Sequence, residues 1–197
     1  MDPSVIASMA KWPNVPDCYG WLHLDAQGHW LMGEWAGFGL VGESSEPKPS
    51  RVEHEGLRGF INRNYLCPNG SQGSQHSGAW ALQNGPQRVW VTLALAPMII
   101  RLHGEQVLTH TGVVVELKQL YLSSDGVVYC RTTAGPGAIE SASMEQFSQG
   151  LIEIESEQMW QQTLHSAPLV LQPVAADMVE RMLGFCRRAD PAKQTHA

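Results

Sequence analysis

The chain has 197 residues, of which 43% are hydrophobic, so it can form one domain or two small ones with a sizeable core. Charged residues make up only 16%, which argues against long disordered or coiled-coil regions. The net charge of −6 and the pI near 5.7 argue against a general electrostatic nucleic-acid binder, and we expect no nucleic-acid partner.

The sequence shows no export or membrane signal. Residues 1–18 lack the basic start and apolar run of a secretory signal. The most apolar stretch, Val89 to Leu102, is shorter than the ~20 residues needed to cross a bilayer. We therefore expect a cytoplasmic protein without a membrane partner. Four cysteines, none in a CxxC pair, are predicted to be reduced thiols: Cys18, Cys67, Cys130 and Cys186.

A hairpin and a helix are predicted first along the chain. Apolar runs at Tyr19 to Leu24 and His29 to Met32 flank a turn that ends in Gly28, which is typical of a hairpin. Ser50 and Glu53 form a capping-box pattern that predicts the start of a helix. Its apolar stripe, expected to lie on a sheet, comprises Leu57, Phe60, Ile61 and Tyr65.

The middle of the chain is predicted to be rich in strands, which follow two polar loops at Gly33 to Pro49 and Cys67 to Gly78. Asp125-Gly126 between apolar runs is the strongest hairpin pattern in the sequence. The predicted strands are Ala79 to Gln83, Arg88 to Leu95, Met98 to Leu102, Val107 to Thr109, Val113 to Leu117, Leu120 to Leu122 and Val127 to Arg131.

The last third of the chain is predicted to be mainly helical. The glycine-rich stretch Ala134 to Ala138 is interpreted as a turn between a strand and a helix. Ser143 and Gln146 resemble a second capping box, and Trp160 and Leu164 extend that helical region. A closing helix is predicted to begin at Pro173, with the apolar stripe Val174, Met178, Val179, Met182, Leu183 and Cys186.

These elements predict an α+β fold with mainly antiparallel sheets, hairpins and a few helices packed on one face. Leu22 to Trp30 and Leu120 to Tyr129 are both hairpins followed by a capped helix, which suggests an internal structural repeat. The predicted domain organisation is an N-terminal extension (1–18), a first β-rich α+β half (19–110), a second strand-hairpin-helix half with a closing helix (111–188) and a flexible tail (189–197).

Motifs that carry catalysis or bind metals and cofactors are absent from the sequence. His54-Glu55 lacks the second histidine of a zinc helix, and there is no G-x-S-x-G elbow, Walker loop or G-x-G-x-x-G. Pro136 removes an amide that a phosphate-binding loop would use. We therefore predict no catalytic residue, no metal and no cofactor.

One group of arginines and amides stands out in this acidic, charge-poor chain. Such side chains hold carboxylates, phosphates or peptide backbone by directed hydrogen bonds, with Trp80 or Trp90 as a packing wall. The alternative is that the asparagines cap a helix and a turn while the arginines pair with Glu53 or Glu55. The candidate ligand-binding residues are Arg58, Asn62, Arg63, Asn84, Gln87 and Arg88.

A resemblance supports the predicted fold. It rests on Gln27 to Trp30, Leu57 to Phe60, Gly78 to Val91 and Ala96-Pro97. This order resembles uncharacterised proteobacterial proteins of similar length. It is more distantly similar to a bacterial family of unknown function with repeated β-rich motifs, which is suspected of a role in signal transduction. In that family acidic residues precede Ala-Pro, whereas this chain has Leu93-Ala94-Leu95, so no role of those residues is carried over.

The favoured function is a non-catalytic regulatory module that binds a small anionic ligand or a protein partner. Two alternatives remain open. One is a hydrolase-type enzyme whose assembled site no motif shows. The other is a homo-oligomeric interaction scaffold, for example a homodimer, that pairs through an exposed edge strand or aromatic patch.

Overall fold

Short strands joined by tight turns form most of the structure. The computed structural model describes residues 1–12, 15–34, 49–68, 77–154, 159–163 and 168–189. Within these ranges the chain forms fourteen strands in two sheets, one six-stranded and one eight-stranded, and four α-helices. Over the described residues the chain divides into two units: unit 1 is Met1–Asp25, His29–Ala94 and Phe185–Ala197, and unit 2 is Ala26–Gly28 and Leu95–Gly184.

Unit 1 contains the six-stranded sheet, in the order β3-β2-β1-β6-β5-β4. The two central strands β1 and β6 are parallel, and the other pairs are antiparallel. Its elements are α1 (Pro3–Lys11), β1 (Cys18–Leu24), β2 (Trp30–Met32), β3 (Ser50–Arg51), α2 (Glu55–Asn64), β4 (Tyr65–Leu66), β5 (Ala81–Asn84) and β6 (Gln87–Leu93).

The helix α2 packs on the sheet of unit 1. Ile61 of α2 is fully buried, and Asn62 accepts a hydrogen bond of 2.7 Å from the indole Nε1 of Trp30 on β2. The rings of Trp30 and Tyr65 meet edge to face at 4.9 Å. The predicted contact between this helix and a sheet is therefore confirmed.

The segment Phe185–Ala189 packs on the same sheet. The Leu93 amide donates to the Arg187 carbonyl, and the Cys186 amide donates to the Gly78 carbonyl, both at 2.9 Å. Ala189 belongs to a buried cluster with Ala79, Ala81 and Trp90. Residues near the end of the described chain thus complete the unit that begins at the N-terminus.

Unit 2 contains the eight-stranded sheet, in the order β12-β13-β14-β9-β10-β11-β7-β8. Two pairs, β14 with β9 and β11 with β7, are parallel. Its elements are β7 (Met98–His103), β8 (Gln106–Thr109), β9 (Leu117–Ser123), β10 (Val128–Thr132), β11 (Gly135–Ile139), α3 (Met144–Gln149), β12 (Leu151–Ile154), β13 (Met159–Gln162), β14 (Leu169–Val174) and α4 (Val179–Leu183).

The predicted α+β class is confirmed, and the sheets are mixed rather than purely antiparallel. The predicted hairpins around Gly28, Gly104 and Gly126 are present as β1–β2, β7–β8 and β9–β10. The parallel pairs join strands far apart in sequence, which short-range turn patterns do not report.

The predicted start of the first helix was wrong by about one turn. α2 begins at Glu55, and Ser50 lies in β3 instead. His54 caps the helix, because its Nδ1 accepts a hydrogen bond of 3.1 Å from the Leu57 amide. The helix ends at Asn64, so Tyr65 begins β4.

Two predictions in the middle of the chain were wrong. Ala134 to Ala138 is not a turn before a helix, because Gly135–Ile139 forms β11 between β10 and β7. Pairing with β7 begins at Gly137, after Pro136, so the missing amide of Pro136 faces no strand on that side. Val113 to Leu117 is not a buried strand: Val113 and Val114 are exposed, and β9 begins only at Leu117.

The last third contains more strand than predicted. Trp160 lies in β13, whereas Leu164 falls outside the described residues. Pro173 lies in β14, where it pairs with Leu122, so the closing helix does not begin there. α4 covers only Val179–Leu183 and ends at Gly184, whose φ of 76° is left-handed and terminates the helix.

Some predictions fall wholly or partly outside the described residues. These are most of the loops at 33–49 and 67–78 and nearly all of the tail at 189–197. The predicted domain boundaries at residues 18, 110 and 188 stay a prediction, because the division into two units does not test whether these segments fold independently. The internal repeat also stays a prediction.

Candidate functional site

The sheet of unit 1 carries a pocket of about 400 Å³. Its walls come from the start of β1, the end of β6 and the segment that follows α4. The lining residues are Tyr19, Gly20, Trp90, Val91, Thr92, Arg188 and Ala189, and we call it the Tyr19 pocket. Gly20 has a φ of 72°, at an irregularity in the register between β1 and β6.

An aromatic pair forms one side of the Tyr19 pocket. The rings of Tyr19 and Trp90 stack with centroids 6.3 Å apart and planes 21° apart. Trp90 is 2% exposed, and its indole Nε1 donates a hydrogen bond of 2.8 Å to Oδ2 of Asp17. Burial and this hydrogen bond fix the ring, so the pocket has a rigid apolar surface.

Arg188 supplies a positive charge to the Tyr19 pocket. The side chain is exposed, and the hydrogen bond between the Leu93 amide and the Arg187 carbonyl places the preceding residue against β6. Thr92 adds a hydroxyl group that can donate and accept. A pocket lined by an arginine, a threonine and a fixed aromatic ring can hold a carboxylate or phosphate joined to a flat group.

The imidazole of His23 lies beside this pocket and is electrically neutral. His23 pairs with Thr92 across β1 and β6 and is fully buried. Its Nε2 donates to the Gly33 carbonyl at 2.9 Å, which fixes the tautomer. Burial lowers the pKa of His23, hydrogen bonds with Gly33 and Gly20 partly oppose this, and the charge of Arg188 lowers the pKa further. The positive charge of the pocket lining therefore comes from Arg188.

The three candidate residues on α2 have partners within the protein. Arg58 is half-buried, and its backbone amide donates to the His54 carbonyl at 3.0 Å. Asn62 accepts the hydrogen bond from Trp30 described above. The Arg63 guanidinium donates to both carboxylate oxygens of Asp2, at 3.0 and 3.3 Å. The helix brings the three residues together, and two of the side chains hold neighbouring segments.

The other three candidates lie at the β5–β6 hairpin. Asn84 pairs with Gln87 across the turn, and the Gln87 side chain donates to the Pro16 carbonyl at 3.2 Å. Arg88 is half-buried. It lies two residues before Trp90 in β6, so both side chains lie on the same face of the strand. None of the six candidates lines the Tyr19 pocket, whereas Trp90, the expected packing wall, does. Their role in binding stays a prediction.

Sequence reasoning missed Tyr19, Thr92 and Arg188 as site residues. The closing helix was predicted to extend to Cys186, which would place Arg188 next to its C-terminal end, but α4 ends five residues before Arg188. The positive-φ Gly184 that breaks the apolar stripe is the pattern that could have corrected this interpretation. Tyr19 and Thr92 meet only through the parallel pairing of β1 and β6.

A second pocket, of about 220 Å³, lies between α2 and the sheet of unit 1. Leu57 and Phe60 of α2 face β1, β2, β5 and β6 across it. Asn84 is the one candidate residue in its lining. We call it the Leu57 pocket, lined chiefly by Trp21, Met32, Leu57, Phe60, Leu82 and Val89.

The described ranges contain no cluster of three or more His, Cys, Asp or Glu side chains that could hold a metal ion. All four cysteines are free thiols, and burial raises the pKa of Cys130 to about 12, which makes that thiol inert.

None of the helices in the described part of the chain combines the length and the apolar character needed to span a membrane.

The fold and the pocket define an α+β protein with two mixed sheets and an aromatic pocket that carries one guanidinium. The chain belongs to the family described as "Protein of unknown function (DUF2946)", whose profile DUF2944 matches residues 1–191. The resemblance to an uncharacterised family is thereby confirmed.

A solved structure shares the fold. It is the crystal structure of a DUF1285 family protein from Silicibacter pomeroyi DSS-3, with 10% sequence identity and a TM-score of 0.51. The match covers 82% of this chain and 85% of that chain. At this identity the similarity concerns the fold alone. No curated protein matches the chain.

Proposed function

We propose that this protein is a non-catalytic regulatory module that binds a small planar anion in the Tyr19 pocket. The observation that carries the proposal is the position of the Arg188 guanidinium in a pocket of about 400 Å³ walled by Tyr19 and Trp90. This volume lies within the roughly 300–1,000 Å³ typical of small-molecule sites. The candidate arginines and amides on α2 and the β5–β6 hairpin are the alternative location for the ligand-binding site.

The charges around the pocket favour a ligand with one anionic group. Arg188 provides one positive charge, while the Asp17 carboxylate accepts the hydrogen bond from the edge of Trp90. His23 is neutral and adds no second positive charge. A ligand with a single anionic group, such as an aromatic carboxylate or a phosphate monoester of a flat group, suits this balance better than a polyphosphate.

The wider proposal is regulatory and follows the resemblance given above. In it the protein acts in signal transduction in the cytoplasm, and ligand binding changes its affinity for a protein partner. The proposal includes an internal duplication, with Leu22 to Trp30 and Leu120 to Tyr129 as equivalent hairpins. In both hairpins the turn ends in a positive-φ glycine, Gly28 or Gly126.

A thermal-shift screen tests the site. Purified protein is screened against nucleoside monophosphates, phosphorylated metabolites and aromatic carboxylates. A ligand at about 100 times its Kd stabilises by about 2.7 kcal/mol, which for a chain of this size raises Tm by several degrees. We expect Arg188→Ala to abolish the shift, because it removes the charge that holds the anion.

Three further variants locate the site. Arg51→Ala removes an exposed arginine of unit 1 outside the pocket and is the matched control, which should keep the full shift. Arg63→Ala and Arg88→Ala test the competing site. A shift that survives Arg188→Ala and is lost in either of these two would move the site to α2 and the hairpin. No shift with any ligand class would count against anion binding altogether.

A further inference from the structure

We propose that the Leu57 pocket is a second ligand site, which takes a small uncharged molecule with one aromatic ring and one hydrogen-bonding group. This site is independent of the Tyr19 pocket: its lining comes from α2 and other positions of the sheet, and the two linings share no residue.

The lining of the Leu57 pocket is uncharged. Its described lining contains no Lys, Arg, Asp, Glu or His side chain. Placing a charged ligand against such a surface would remove its hydration without offering a countercharge. The chemistry of the lining therefore selects a neutral ligand, in contrast to the Tyr19 pocket with its guanidinium.

Three large apolar side chains around this pocket remain exposed. Trp21 is 51% exposed, Met32 39% and Leu57 36%. A single exposed apolar residue is ordinary, but a cluster around one apolar pocket marks a surface that binds something. These side chains come from β1, β2 and α2, so a ligand between them would be enclosed from three sides.

The size of the pocket limits the ligand. Its volume of about 220 Å³ exceeds the roughly 150 Å³ of a dry cavity that holds benzene, and it is below the roughly 300 Å³ at which sites for larger molecules begin. The pocket therefore fits one ring with a small substituent.

Asn84 gives the Leu57 pocket a hydrogen-bonding side chain that can orient the ligand. Its amide can donate and accept hydrogen bonds, and it lies at the exposed end of β5. A phenolic hydroxyl or a carboxamide on the ring would pair with this amide. A ring without such a group would bind by apolar contact alone. We therefore expect phenol to bind more tightly than benzene.

The test uses phenol, benzene and benzoate as probes, each titrated into the full chain and followed by NMR. We expect saturable binding of phenol, with a shift of the Trp21 indole resonance, weaker binding of benzene and none of benzoate at this indole. Leu57→Trp fills the pocket and should weaken phenol binding by at least about tenfold. Asn84→Leu should remove the preference for phenol over benzene.

Ile6→Trp is the matched control, because Ile6 is an exposed helical residue of unit 1 outside the pocket. It should leave phenol binding unchanged. Phenol binding that survives Leu57→Trp, or benzoate binding at Trp21 as tightly as phenol, would overturn the proposal. So would a dimer in light scattering that Leu57→Trp converts to monomer, since the pocket would then be covered by a second copy. Chemical-shift dispersion of the variants checks that they are folded.

Discussion

Gly137 occupies a tightly packed position in β11. A Cβ at this residue would lie 3.0 Å from Cγ1 of Ile100, 3.1 Å from the Met98 carbonyl oxygen and 3.2 Å from Sγ of Cys130. The flanking strands β7 and β10 supply these atoms, and both strands are buried there. The glycine thus permits the close approach of three strands in unit 2.

We expect Gly137→Ala to destabilise the protein by about 1–3 kcal/mol, because the added methyl overpacks the sheet. Urea unfolding measures the change. Gly104→Asn is the control: Gly104 has a φ of 58° with nothing within 4 Å, and asparagine tolerates that conformation. Equal stability of the Gly137→Ala variant and the parent would contradict the close packing described here.

His110 makes the stability of the protein depend on pH. Its Nδ1 accepts a hydrogen bond of 3.2 Å from the Ile99 amide. Burial lowers the pKa of His110 to about 3, with a smaller contribution from the charge of Arg101. Below the unfolded pKa near 6.5, the unfolded chain binds a proton that the folded chain does not. Stability is therefore lost as the pH falls from that value towards the folded pKa.

This histidine should account for a loss of about 2 kcal/mol in the free energy of unfolding between about pH 7 and pH 5. His110→Asn keeps a hydrogen-bond acceptor and removes the titrating group, so its unfolding free energy should fall less over that range. Urea unfolding at the two pH values measures both slopes. The control is His103→Asn at an exposed position, which should keep the parent slope. A parent-like slope in His110→Asn would exclude His110 as the source.

At the scale of elements, hairpins were the predictable part of this fold. The β9–β10 hairpin is encoded by Asp125-Gly126, where Gly126 takes a φ of 85°. Such turns depend on a few adjacent residues, so sequence alone is sufficient. β11 was not predictable, because Gly137 serves contacts with β7 and β10 that no local pattern records.

At Val113 to Val115 the sequence predicted a strand that the structure does not contain. Its β-branched composition predicts a strand, yet Val113 and Val114 are exposed, and only a single bridge from Val114 to Leu108 forms. β propensity measures fit to a pleated, half-buried surface, and it cannot say whether a partner strand is available. Trp160, which was predicted to be helical, lies in β13.

The candidate site was predictable only in part. Trp90 was identified from the strand pattern, and it walls the Tyr19 pocket. Arg188 was not, because its place depends on a segment that returns to β6 after the whole of unit 2. A site assembled from segments about 70 to 100 positions apart leaves no spacing pattern in one sequence.

At the scale of the whole molecule, Phe185 links distant parts of the chain. It is 4% exposed and belongs to unit 1, whereas the preceding residue belongs to unit 2. The next residues carry the hydrogen bonds to Gly78 and Leu93. We expect the burial of Phe185 to help hold this segment against the sheet of unit 1.

Phe185→Ala should cost about 3–5 kcal/mol through the lost burial and the cavity left behind. Because the segment would loosen, the Leu93 amide should also exchange with solvent faster in native-state hydrogen exchange. Met182→Ala, at a residue that is 40% exposed, is the control and should change neither quantity much. Unchanged protection of Leu93 in the Phe185→Ala variant would show that the segment is not required.

The split arrangement of unit 1 also has a consequence during translation. Roughly ninety residues separate Leu93 from Phe185, and the whole of Leu95–Gly184 is made in between. At roughly 5–20 residues per second, the ribosome needs about 5–20 s to deliver the missing segment. Throughout that interval Ala79, Ala81 and Trp90 lack the contact with Ala189 that completes their buried cluster. The nascent chain therefore presents this surface to chaperones before the first-made strands can complete their fold.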